Sequence, residues 1–296
     1  MTENKKTEYL NRLTTIHNGK RFIDDYLQGS GNELKEKFWS DNSSSRLAFD
    51  LYSWIPGVQF EKQLPGVICS KSGPAGVPNM DVFVELHDTL LFIESKYTES
   101  ANLSYTEREK PNLSKAYWSE SLHGKLKLEE RFYGQAEIAH KFSQFCKSIQ
   151  SDIDRLLSGR KQNPWKWFDV KQETCHLFGI IFYALNARKD EETKKYICDS
   201  KYKGTKKLVL CNIIWRMDED DFTLKEDSLP AIFEKKAKNL INEILGNCFD
   251  FQIHTVQKVM ESRNFYGLNF KESKSFEKDN LVIEQMNQYK DCKPKR

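Results

Sequence analysis

Residues 78–99 read P-N-M-D-V-F-V-E-L-H-D-T-L-L-F-I-E-S-K-Y-T-E, and the fold turns on how this stretch pairs with itself. Two runs rich in β-branched and aromatic residues, 79–86 and 89–99, are separated only by His87-Asp88. So short a break between strand-like runs predicts a hairpin. A loop symmetric about the His87–Asp88 bond pairs positions whose numbers sum to 175, which sets Asp81 opposite Glu94 and Asn79 opposite Lys96. Side chains alternate along a strand, so these four polar groups share one face. Val82, Val84, Leu91, Ile93 and Ser95 take the other.

Upstream, S-S-S-R-L-A-F-D-L-Y-S-W-I-P at 43–56 offers serine N-caps, a stripe of Leu47, Leu51 and Trp54, and a proline stop. That pattern predicts a helix. A short strand is expected at 58–64, then an irregular loop rich in Gly and Pro up to Pro78. Residues 5–40 are loosely helical in spacing, with a break at Gly29-Ser30-Gly31. Downstream, Leu128, Phe132, Ala139, Phe142 and Cys146 mark one face of a long helix. The apolar runs 176–185 and 207–215 lack alternation and read as central strands covered on both faces. From 218 to 296 the chain reads as mainly helical, including L-P-A-I-F-E-K-K-A-K-N-L-I-N-E-I-L and F-Q-I-H-T-V-Q-K-V-M-E-S.

This order predicts an α/β fold with a mixed central sheet flanked by helices. Residues 1–42 form an N-terminal helical segment, 43–217 the core, and 218–296 a helical C-terminal region packed on it. The 296 residues, 39% hydrophobic and 30% charged, exclude a disordered or fibrous chain. No apolar run is long enough to span a membrane and no signal peptide is visible, so the expected location is cytoplasmic. Seven cysteines without a C-x-x-C pair predict neither disulfides nor structural zinc. Cys175 and His176 read as a buried thiol and an ordinary histidine, because neighbours on a strand point to opposite faces.

Two carboxylates opposed inside a sheet repel each other, and burying both ionised is costly unless a cation lies between them. A hard divalent ion answers this. Asp81, Glu94 and the Ser95 carbonyl are an oxygen donor set suited to Mg²⁺, which shares its remaining positions with water and phosphate. Lys96 then stands beside the ion, where it orients an attacking water and offsets charge developing on phosphorus. The pattern points to phosphodiester hydrolysis.

The P-N-M-D of 78–81 followed by the E-S-K of 94–96 resembles the signature of the PD-(D/E)xK nuclease superfamily. The serine-rich helix before the hairpin, the I-E-S-K-Y-T-E strand end and the G-Q-A-E-I-A-H-K-F helix resemble its type II restriction-endonuclease-like members. The resemblance covers roughly residues 43–146. It implies a restriction-endonuclease-like core, a Mg²⁺ cofactor held by Asp81, Glu94 and Ser95, and Lys96 as the catalytic lysine. It also implies an upstream acidic residue, for which Glu36 and Glu61 are candidates. Glu61 is the better placed, in the strand next to the hairpin. Gln135, on an apolar helix stripe, is read as a site residue backing the metal or a phosphate.

The expected activity is Mg²⁺-dependent cleavage of double-stranded DNA by a type II restriction endonuclease, with a homodimer compatible with that class. A repair or recombination nuclease, and a non-catalytic DNA-binding protein on the same fold, are the alternatives. A net charge of +3 does not choose among them. The segment 187–207, with eight cations against four anions, is the candidate phosphate-tracking loop.

Overall fold

A computed structural model describes residues 7, 11, 19–28, 38, 43–65, 78–96, 113, 136–160, 164–165, 168–192, 196–214, 225–255, 259 and 265–268. The described helices are α1 (Gly19–Gln28), α2 (Ser44–Tyr52), α3 (Ala136–Leu156), α4 (Val170–Ala184) and α5 (Leu229–Leu245). The described strands are β1 (Gln59–Gln63), β2 (Asn79–Glu85), β3 (Thr89–Lys96), β4 (Arg188–Lys189), β5 (Tyr196–Ile197), β6 (Lys207–Ile214) and β7 (Phe249–Thr255). Five of these strands make one mixed sheet in the order β1-β2-β3-β6-β7, and β4 and β5 form a separate small ribbon. The fold is α/β.

Over residues 82–85 and 90–93 the hairpin adopts the expected register, but the ladder stops short of the expected Asp81–Glu94 and Asn79–Lys96 pairs. Val82 pairs with Ile93, Phe83 with Phe92, Val84 with Leu91 and Glu85 with Leu90. The partition of faces follows: Val82, Val84, Leu91 and Ile93 pack with α1 and α2, joined from β6 by Val209, Cys211 and Ile213. Phe83, Leu90, Phe92, Leu208 and Leu210 pack under α3, α4 and α5. On β3 this second face continues at Glu94 and Lys96, and on β6 at Asn212, because the period is two. β3 is therefore the hinge of the topology, antiparallel to β2 and parallel to β6 over its whole length.

Helix starts are written in the caps. Ser43 accepts from the Arg46 N–H at 3.1 Å to open α2, and Ser228 caps α5 with Pro230 in its first turn. The segment 176–185 is a correction: residues 176–184 lie within α4 and Leu185 is its C-cap, so the run is not a strand. Asp169 accepts from the Lys171 and Gln172 N–H groups at 3.0 and 3.1 Å, fixing the helix start. Alternation is missing because α4 is wedged between the sheet and α3 and α5, so apolar residues fall on almost every side. Phe142 of α3 stacks on Phe178 of α4 at 4.1 Å between centroids.

Gly179 allows α4 its close approach to β2, since a Cβ there would sit 2.5 Å from the Pro78 ring. The C-terminal region also departs from the helical expectation. Residues 251–255 lie in β7, which runs parallel to β6 and extends the sheet beyond residue 217. Phe249 and Phe251 face the core while Asp250 and Gln252 alternate with them on a half-buried edge. Among the described residues no helix is long and apolar enough to cross a membrane, and the described cysteines are free thiols.

Candidate functional site

Asp81 sits where the ladder of β2 is interrupted. The β1–β2 pairs Phe60–Val82 and Lys62–Met80 lie on either side of Glu61 and Asp81. Met80 joins the same core as Phe83 although the two are three positions apart, so the alternation of β2 is reset at Asp81. The carboxylate takes over as acceptor at the break: the Ser95 N–H donates to Asp81 Oδ2 at 2.7 Å. Glu61 faces the same interruption with a left-handed backbone, φ +48°, a conformation that costs a non-glycine residue free energy.

Glu94 and Lys96 follow on β3, only 3% and 7% exposed. The Lys96 ammonium lies 2.7 Å from Glu94 Oε1. It also donates to Gln172 Oε1 at 2.5 Å, and Gln172 Nε2 donates to Glu94 Oε1 at 2.6 Å. Each member of this triangle thus contacts the other two. Gln172 stands at the third helical position after the Asp169 cap, where a Gln side chain can turn back to the cap N–H. Here it reaches into the site instead.

The second oxygen, Glu94 Oε2, is buried without a hydrogen-bond partner among the described residues. The imidazole Nε2 of His176, one turn beyond Gln172, lies 3.7 Å from it. From the next strand, Asn212, in register with Glu94, donates to Glu173 Oε2 at 2.9 Å. Lys96 is therefore set among Asp81, Glu94 and Glu173, with Glu61 beyond Asp81.

The electrostatics follow from this crowding. Burial raises the Asp81 pKa well above the usual carboxylate range; the charges of Glu94 and Glu61 add to the rise, while Lys96 and the Ser95 N–H oppose it. Burial pushes Glu173 up to about 8, against the Asn212 hydrogen bond and with a further push from Glu94. His176 is lowered by burial, which outweighs the upward pull of Glu94. At neutral pH the imidazole is neutral and Glu173 holds its proton.

Of the residues singled out in the sequence, Asp81, Glu94, Lys96 and Glu61 come together, and Ser95 lies between the two β3 site residues. Gln135 and Glu36 lie outside the described residues. Gln172, Glu173, His176 and Asn212 were not anticipated. The signal for the first of them was D-V-K-Q at 169–172, an N-cap followed three residues later by Gln.

The basic segment lies elsewhere. Lys207 pairs in register with Thr89 at the start of β3, whereas Glu94 and Lys96 close its other end; seven residues of strand separate these ends by about 23 Å. Lys203 is bound to Asp199, Lys206 to Glu85 and Lys207 to Asp250. A cleft of about 610 Å³ lined by Leu90, Tyr183, Tyr202 and Lys203 also opens at this far end. The buried carboxylates are not part of it.

Among the described residues no group of three His, Cys, Asp or Glu side chains is arranged to hold a metal ion. An open site, completed by a main-chain carbonyl and solvent, needs fewer side chains than a closed cage. No family model, no curated protein and no solved structure matches this chain.

Proposed function

We propose that the chain is a divalent-cation-dependent endodeoxyribonuclease with a restriction-endonuclease-like core, acting on double-stranded DNA as a type II restriction enzyme with Mg²⁺ as the expected ion. The observation that carries this reading is the meeting of Asp81, Glu94 and Lys96 from two antiparallel strands, with Glu94 Oε2 left unpaired. A buried carboxylate oxygen without a donor is costly, and a cation relieves it. The arrangement of a helix, three antiparallel strands and a helical crossover to a parallel strand supports the same assignment.

The donor set fits. Asp81, Glu94 and the Ser95 carbonyl are hard oxygen ligands at the end of a sheet. When bound, the ion supplies charge stabilisation at the phosphate and a more acidic water. The chain's own residues do the rest. Gln172 fixes the Lys96 ammonium against Glu94, so that its N–H bonds are aimed before substrate arrives. The Asp81–Ser95 hydrogen bond holds the end of β3 against β2, keeping Glu94 and Asp81 in one place. Burial keeps water from screening the lysine charge.

The test is incubation of the purified protein and Mg²⁺ with unmethylated phage DNA. Discrete bands support restriction, a smear supports a nonspecific nuclease, and intact DNA at all ion concentrations refutes the enzyme in favour of a binding module.

A further inference from the structure

β6 reads K-L-V-L-C-N-I-I over residues 207–214, and Asn212 is a single amide in its buried apolar run. It stands in register with Glu94 on the face covered by α4 and donates to Glu173 Oε2 at 2.9 Å. Both partners are buried.

This pair works against the fold. The Glu173 carboxyl is pushed up to about 8 by its burial, and Asn212 Oδ1 has no hydrogen-bond partner among the described residues. Two apolar side chains of similar size would pack there without either cost. What the pair gives in return is geometric. Glu173 is the chain neighbour of Gln172, whose amide spans Lys96 and Glu94.

Asp169 fixes where α4 starts but not how the helix is rolled on the sheet, and the core contacts of Phe178, Ile181 and Phe182 are apolar and non-directional. At a side-chain radius of about 5–6 Å, a roll of about 20° carries the Gln172 amide about 2 Å, enough to break both of its hydrogen bonds. On the β2 side His176 hydrogen-bonds the main chain at Asn79. One such tether lets the helix pivot. A second, from β6, removes that freedom.

We propose that Asn212 and Glu173 are positioning residues for Lys96: their hydrogen bond sets the roll of α4 at the orientation in which Gln172 holds the ammonium against Glu94. The consequence for cleavage rests on the nuclease reading, whereas the hold on Lys96 does not.

The experiment uses the full chain with ¹⁵N-labelled lysine. An ammonium held inside the protein by two hydrogen bonds is protected from exchange with water, so wild type is expected to show a Lys96 Nζ resonance, identified by its loss in Lys96→Met. The double variant Asn212→Leu with Glu173→Met removes the pair as a unit. It should melt at or above wild type in EDTA and lose the Lys96 resonance. Its kcat for DNA cleavage should fall about 100-fold at unchanged KM, the scale on which a small misplacement far from the chemistry acts. Glu173→Gln, whose amide oxygen still accepts from Asn212, should keep the resonance and cleave like wild type.

A double variant that keeps the resonance and its kcat overturns the proposal, as does a wild type with no protected Lys96 resonance. A double variant that melts well below wild type marks the pair as merely structural and overturns it too. Loss of the resonance in a folded Glu173→Gln protein would show that the hydrogen bond is not what holds Lys96. A chain that cleaves no DNA, yet loses the resonance in the double variant and keeps it in Glu173→Gln, removes the nuclease reading and leaves the positioning role standing.

Discussion

Glu173 provides a quantitative test of how strongly this site works against the fold. Its pKa is raised from the ordinary 4.5 to about 8, chiefly because the carboxyl is buried. Between those two values the folded chain keeps a proton that the unfolded chain gives up. The unfolded state then binds fewer protons, so stability falls as pH rises through that window and levels off above about 8. At about 1.4 kcal/mol for each tenfold change in proton affinity, the loss is about 4 kcal/mol by pH 7.5 and about 1 kcal/mol at pH 5. Glu173→Gln abolishes the ionisation while its amide oxygen still accepts from Asn212.

For a chain of this length, unfolding entropy near 2.1 cal/mol/K per residue makes 1 kcal/mol worth about 1.6 °C. In EDTA, Glu173→Gln is therefore expected to melt about 6 °C above wild type at pH 7.5 and only about 1.5 °C above it at pH 5. The readout is the difference between the two proteins, because Asp81 contributes its own pH dependence to both. A variant that melts at or below wild type at pH 7.5, with a parallel pH profile, would refute the claim that Glu173 is buried with its proton.

Asp81→Asn should lower cleavage by orders of magnitude in a gel assay yet melt no lower than wild type in EDTA, since the amide still accepts the Ser95 N–H and the repulsion from Glu94 and Glu61 is gone. Lys96→Met should also lose cleavage, but at a stability cost of about 3 kcal/mol, because it leaves Glu94 buried without its cation; chemical denaturation at pH 7.5 measures the deficit, and a variant as stable as wild type would refute it. Neutralising Lys201, Lys203, Lys206 and Lys207 together should leave DNA affinity and its salt slope nearly unchanged, since the segment lies at the opposite end of β3 from Lys96; a slope that falls by several units would show that this loop does track phosphates.

The hairpin was legible because its chemistry and its geometry use the same signal. Alternation over 82–85 and 90–93 sorts Val82, Val84, Leu91 and Ile93 onto one face and Phe83, Leu90 and Phe92 onto the other, and the two-residue turn sets that register. The site residues on β3 came with it. The wall contributed by α4 was hidden by the burial that makes it useful. A helix covered on nearly every side carries no periodicity, so H-L-F-G-I-I-F-Y-A-L passes for a central strand, and a strand reading turns His176 away from its chain neighbours. Its start was nevertheless marked by Asp169 and Gln172. β7 was lost for another reason: Phe249, Phe251 and Ile253 do alternate with Asp250, Gln252 and His254, but the helical spacing continuing through V-Q-K-V-M-E-S drew the whole stretch into one helix.

The position of the acidic cluster follows from the parallel half of the sheet. β3, β6 and β7 end on the same edge, and the connection from β3 to β6 must return the chain to the opposite one. α4 therefore runs against these strands and brings its N-terminus to their carboxyl ends, where open α/β sheets leave room for a ligand. Asp169 takes up the first free N–H groups of that helix, which spares Gln172 from capping and lets it hold Lys96. Glu173 and His176 are then carried onto Asn212 and Glu94 by helical geometry alone. The basic segment enters β6 at the other end of the same strands, so the topology that gathers the carboxylates also keeps those lysines from neutralising them. What remains beside the second oxygen of Glu94 is the His176 imidazole, 3.7 Å away and brought there by the same helix that holds Lys96.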